Sequence, residues 1–128
     1  MPDRTPSSGP PATSPFRGRR VLVVEDEYML AEDLRDQLER EGAEVLGPVP
    51  TVAEALELLR RERAPDMAIL DINLQGEMAW PIADLLREMG IPFVFATGYD
   101  LRAIPPAYAG VARAEKPVTL RHLNLWPG

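Results

Sequence analysis

The sequence contains no cysteine, one lysine, one histidine and no apolar run approaching the roughly 20 residues that a membrane span requires. Without cysteine, disulfides and thiolate metal sites are excluded, which accords with an expected cytoplasmic location. The N-terminus has no apolar stretch of the kind that leads a secretory signal, so export is not expected and no membrane partner is implied. Basic residues are scarce where a nucleic-acid surface would need them. Residues 1–20 carry four Arg and one Asp, leaving ten basic against nineteen acidic groups in the remainder. Phosphate backbones are bound by clustered Lys and Arg. The trio Arg17, Arg19 and Arg20 does not reverse a net charge of -6, and reads as the flank of a first strand. At 128 residues, 45% hydrophobic and 27% charged, the chain fits one domain with a core of its own.

Residues 1–18 read as a disordered tail, with Pro2, Pro6, Pro10, Pro11 and Pro15 among Ser, Thr and Gly, and the folded domain is expected over 19–128. Val21-Leu22-Val23-Val24 is a short apolar run suited to a strand covered on both faces. Leu30, Leu34 and Leu38 then recur every fourth residue in an amphipathic helix ending at Gly42. The alternation repeats. A strand over 43–49 precedes Thr51-Val52-Ala53-Glu54, a capping box opening a helix with Val52, Ala55, Leu56 and Leu59 on one face. Met67 to Leu70 is a third strand with Asp71 at its carboxyl end. Pro81 suits the first turn of a helix that Gly90 stops. Residues 91–96 form a fourth strand ending in Thr97-Gly98, and a weak fifth strand near 111–113 precedes Lys116-Pro117, with Thr119 placed to cap a short last helix. Such alternation predicts an α/β fold: a doubly wound, five-stranded parallel sheet in the order 2-1-3-4-5.

Parallel strands share a carboxyl edge, and the polar residues fall there. Glu25 and Asp26 follow strand one, Asp71 ends strand three, Thr97 ends strand four and Lys116 follows strand five. Three carboxylates brought together repel one another unless a counter-ion is present. Mg²⁺ meets that need, because it takes carboxylates, a carbonyl and waters while bridging to phosphate. Lys116 and Thr97 suit the oxygens of a phosphoryl group carried on Asp71, and aspartyl phosphate is an established covalent intermediate. Singly, each residue has a plainer reading. Glu25-Asp26 could be an acidic cluster at a helix N-terminus, Asp71 a loop-starting residue, and Thr97-Gly98 a turn. Lys116 is the more informative, being the only lysine and standing in a Lys-Pro pair.

Over residues 20–125 the sequence resembles the response-regulator receiver family. The resemblance lies in Val21-Leu22-Val23-Val24-Glu25-Asp26-Glu27, Ile69-Leu70-Asp71-Ile72-Asn73-Leu74, Phe95-Ala96-Thr97-Gly98-Tyr99 and Glu115-Lys116-Pro117. The Phe-Ala-Thr-Gly-Tyr stretch is similar to a subfamily named for that signature, which includes many single-domain regulators. The resemblance implies a flavodoxin-like (CheY-like) fold and an aspartyl-phosphate switch rather than an enzyme. Asp71 would be the phosphoacceptor, supplied by a phosphohistidine of a histidine kinase or histidine phosphotransfer protein. Asp26 would bind Mg²⁺ directly, Glu25 directly or through water, with Asp71 and the Asn73 backbone carbonyl completing the protein's share. Thr97 would hydrogen-bond a phosphate oxygen, Lys116 would pair with it, and the Lys116-Pro117 peptide is expected cis. Tyr99 and Asp100 would line the rim.

Three departures stand out. Arg113 replaces the aromatic residue that most receivers carry three positions before the lysine. The segment 100–110 contains Pro105-Pro106, so the fourth helix is expected to be shortened or lost. Few residues follow Lys116-Pro117, so the last helix is expected to be brief, and no output domain is expected in the chain. These features alter the surface that common receivers use to dimerise; a monomer or weak dimer is expected. Trp80 reads as packing and His122 as structural or exposed. Two rivals stay open: a phosphorylation-independent pseudo-receiver that only docks, and a phosphate sink or relay. A Mg²⁺-dependent phosphohydrolase is disfavoured, because it wants an acid where Asn73 stands.

Overall fold

A computed structural model describes residues 14–98 and 104–123. The chain runs β1 (Arg20–Val24), α1 (Tyr28–Arg40), β2 (Glu44–Val49), α2 (Val52–Arg61), β3 (Met67–Asp71), β4 (Asn73–Leu74), β5 (Glu77–Met78), α3 (Trp80–Met89), β6 (Phe93–Thr97) and β7 (Ala112–Glu115). Five strands form one parallel sheet in the order β2-β1-β3-β6-β7. This is the predicted 2-1-3-4-5 order, with β6 and β7 as its fourth and fifth members. β1, β3 and β6 are buried along their whole length, as their unbroken apolar runs require.

Strand alternation divides the core into two layers. Leu22, Leu70 and Phe95 pack with Val52, Leu59, Ile82 and Leu86 of α2 and α3. Val21, Val23, Ile69 and Val94 pack on the other face with Leu34 and Leu38 of α1. Phe16 joins this second layer and is only 3% exposed. The fold therefore begins inside the segment assigned to the tail: residues 15–18 form a turn in which the Arg19 N–H donates to the Phe16 carbonyl at 3.0 Å, and the Gly18 N–H ties it to the Gly42 carbonyl at 2.9 Å. One buried aromatic ring supplies the apolar area that the surrounding prolines lack. Arg20, expected to flank the first strand, is its first residue, with its guanidinium 2.7 Å from Glu44 and 2.8 Å from the Arg63 carbonyl.

Local sequence accounts for the helix ends. The Thr51 hydroxyl accepts from the Glu54 N–H at 3.1 Å, the cap half of the predicted box, and donates to the Glu54 carboxylate at 3.0 Å. Gly90 closes α3 in the left-handed conformation, φ 74°. Gly47 is demanded more strongly: its φ is 89°, and a Cβ there would lie 2.8 Å from the Val49 nitrogen and 2.9 Å from the Val23 carbonyl oxygen. The register of β2 against β1 shifts at this point. The terminal segment differs from expectation. Leu120–His122 makes a single 3-10 turn, and Thr119 provides no side-chain cap. Gln37 of α1 does this instead, donating to the Val118 carbonyl at 2.8 Å and accepting from the Leu120 N–H at 3.1 Å.

Between β6 and β7, described residues 104–111 contain only a 3-10 turn, Pro106–Tyr108. Tyr108 is buried against α3, where Trp80, Asp84 and Arg87 share a face at helical spacing. Its ring stacks on Trp80 at 5.0 Å and 13°, its hydroxyl donates to Asp84, and the Arg87 guanidinium sits 4.8 Å from the ring centroid. Phe95 meets both rings edge-on. Trp80 is thus a packing residue, as its position suggested. Two stability changes follow. Gly47→Ala should lower unfolding free energy by about 2 kcal/mol through enforced backbone strain. Tyr108→Ala should lower it by about 3 kcal/mol by emptying a core position. Urea denaturation monitored by circular dichroism checks both.

Candidate functional site

Because all five strands of the main sheet are parallel, their carboxyl ends meet on one edge. Glu25 follows β1, Asp71 is the last residue of β3, Thr97 the last of β6, and Lys116 follows β7. The Lys116 N–H donates to the Thr97 carbonyl at 2.9 Å, setting the lysine beside the threonine, and the Lys116-Pro117 peptide is cis. Lys116 then reaches across the edge. Its Nζ lies 2.9 Å from Asp71 Oδ2 and 3.2 Å from Glu25 Oε1. The other Glu25 oxygen accepts from the Glu27 N–H at 3.0 Å, and Asp71 Oδ1 accepts from the Asn73 N–H at 3.4 Å.

One carboxylate oxygen each from Glu25, Asp26 and Asp71 lies within 4.8 Å of the others. Asp26 and Asp71 face a pocket of about 360 Å³ that Asn73, Thr97 and Lys116 also line, whereas Glu25 lies behind it, beneath the lysine. One wall is unforeseen: β4 and β5 form an antiparallel hairpin turned by Gln75 and Gly76, both at positive φ, with the Asn73 side chain accepting the Gly76 N–H at 2.6 Å. The Gln75-Gly76 pair ahead of α3 was the available signal. Tyr99 and Asp100, expected at the rim, lie outside the described residues. Arg113 is exposed on β7, with its guanidinium 3.4 Å from the Ala109 carbonyl oxygen, away from the pocket. The His122 side chain is likewise outside the described part.

Burial governs the electrostatics. It raises the Glu25 carboxyl to about 7; the Glu27 N–H opposes this, Asp71 adds to it and Lys116 opposes it. Burial also raises Asp71, against the hydrogen bond and charge of Lys116. For Lys116, burial disfavours the charge, but contact with Asp71 and then Glu25 outweighs it and raises the ammonium above its usual value. One cation thus faces three carboxylates, two of them reluctant to ionise. An all-oxygen donor set with surplus negative charge fits a hard divalent cation such as Mg²⁺.

Residues 21–110 match the response regulator receiver domain. The chain belongs to that family. Sensory transduction protein LytT of Bacillus cereus is 41% identical over 66% of this receiver and 35% of its own length. The phyllosphere-induced regulator PhyR of Methylorubrum extorquens is 31% identical over 64% of the receiver and 32% of its own length. The receiver therefore spans about a third of the length of these curated relatives. Among solved structures, SdrG of Sphingomonas melonis Fr1 superposes with a TM-score of 0.72 at 38% identity, covering 81% of the receiver and 88% of SdrG. The response regulator PhyR of Brucella abortus superposes with a TM-score of 0.69 at 27% identity, covering 83% of the receiver and 44% of PhyR.

The raised Glu25 carboxyl carries a pH signature. Metal-free receiver should hold the full Glu25 contribution to stability below about 4.5 and lose it as pH rises to about 7, because the unfolded chain ionises first. Asp71 acts in the same direction. Calorimetry in EDTA should show the melting temperature falling across this interval. Millimolar Mg²⁺ should reverse the fall at the upper end, with proton release on binding. Glu25→Gln should flatten the profile.

Proposed function

We propose that this receiver is a Mg²⁺-dependent aspartyl-phosphate switch. Asp71 accepts a phosphoryl group from a phosphohistidine of a histidine kinase or histidine phosphotransfer protein, and the phosphorylated form binds its partner differently. The observation that carries this reading is the Lys116 ammonium 2.9 Å from Asp71 Oδ2 on the floor of an open, carboxylate-lined pocket. An Asp71 oxygen attacks phosphorus, the P–N bond to the imidazole breaks, and the electron pair stays with the imidazole nitrogen. Lys116, already in contact with Asp71, follows the new charge onto a phosphoryl oxygen, and the Thr97 hydroxyl donates to another.

Asp26 and Asp71, with Glu25 directly or through water and the Asn73 backbone carbonyl, would hold Mg²⁺, which when bound offsets the charge of the transferring group. The two engaged oxygens of Glu25 favour its acting through water. The chain turns over only its own phosphate and is not an enzyme on this reading. A second reading, the phosphorylation-independent docking module, draws support from Arg113, which removes the usual aromatic partner of Thr97. A phosphate sink or relay uses the same chemistry with the histidine phosphotransfer protein as recipient.

Incubation with phosphoramidate followed by intact mass measurement tests the reading. A gain of one phosphoryl group is expected with Mg²⁺, none in EDTA and none in Asp71→Asn. No gain under any condition would replace the switch with the docking module.

A further inference from the structure

β7 is an edge strand that pairs, among the described strands, with β6 alone. The opposite edge, β2, is interrupted by Gly47, Pro48 and a shift of register, features that discourage strand addition. β7 has none of these between Ala112 and Glu115. Because the Lys116 N–H donates to Thr97, alternation along the strand turns the backbone groups of Ala112 and Ala114 toward β6. Those of Arg113 and Glu115 therefore face outward. Both of these side chains are exposed. Among the described residues, Glu115 makes no ion pair, and Arg113 makes only the long bond to the Ala109 carbonyl.

We propose that β7 pairs antiparallel with β7 of a second copy of this chain, about a two-fold axis midway between the two copies of Ala114. In an antiparallel ladder, opposed residues alternate between pairs that exchange both backbone bonds and pairs that exchange none, so the outward-facing residues must oppose one another to be bonded. Three two-fold registers do this. Opposing Arg113 to Arg113, or Glu115 to Glu115, sets like charges face to face and leaves the second outward residue of β7 beyond the end of the opposed strand. Opposing Arg113 to the partner's Glu115 engages every outward N–H and carbonyl of β7, making four interchain bonds. It also places a guanidinium across from a carboxylate twice by symmetry. Opposed unlike charges stabilise a strand pair and like charges destabilise it. The surface is thus complementary to itself, as a two-fold contact requires. The inference is independent of whether Asp71 is phosphorylated.

Sedimentation velocity on the full chain from about 10 µM to about 1 mM tests the proposal, together with amide hydrogen exchange at both ends of that range. The expected result is a concentration-dependent dimer in which the Arg113 and Glu115 amides become protected. Glu115→Arg should weaken it at least about tenfold, because both opposed pairs become Arg with Arg. Combining Glu115→Arg with Arg113→Glu should restore association, which shows that the single change acts through the pair rather than by unfolding. A monomer throughout would mean that the two charges serve only to guard the edge, and the proposal fails. It also fails if a dimer forms with those amides unprotected, or with affinity unchanged by Glu115→Arg.

Discussion

One ammonium group between two buried carboxylates is the constraint on which the rest of this fold turns. Glu25 and Asp71 are each brought to the edge of a fully buried strand, where burial disfavours their charged forms. Lys116 lies within hydrogen-bond distance of both. For it to do so, β7 must add beside β6 in parallel, so that the chain leaves the sheet at the same edge as β1 and β3. The Lys116 N–H bond to Thr97 and the cis Lys116-Pro117 peptide belong to the same arrangement. A short, mostly exposed strand is therefore a fixed part of the design, because it delivers the cation.

Much of this was readable from the order of residues. β1, β3 and β6 are unbroken apolar runs, and such runs, each followed by a helical period, leave few arrangements other than a parallel doubly wound sheet. That topology puts Glu25, Asp71, Thr97 and Lys116 on one edge before any coordinate is known. What escaped depends on partners distant in sequence. Phe16 sits among prolines and becomes core only because α1 and the sheet offer it a slot. Thr119 has the chemistry of a cap, yet Gln37, more than eighty residues away, takes that task. The hairpin over 73–78 is too short for hydrophobic periodicity to register, and only its turn residues mark it.

The region that departs most from the expected alternation is compensated by aromatic packing. In the described part of the β6–β7 connection, a 3-10 turn delivers Tyr108 onto Trp80 and Phe95, and α3 grips it through Asp84 and Arg87. A large ring buries somewhat more area than a single aliphatic side chain while requiring few ordered backbone residues, so a proline-containing connection can still seal the core. Among the described residues of this connection, the sheet face is closed by these rings and not by an α-helix.

Lys116 is also the only lysine in the sequence, and this has a practical meaning. The one side-chain amine in the sequence lines the carboxylate pocket. Acylating reagents and amine-directed cross-linkers, which on most proteins scatter over the surface, have one side-chain target here, and because they attack only the neutral amine their uptake reports on how tightly Glu25 and Asp71 hold the ammonium as well as on access to it.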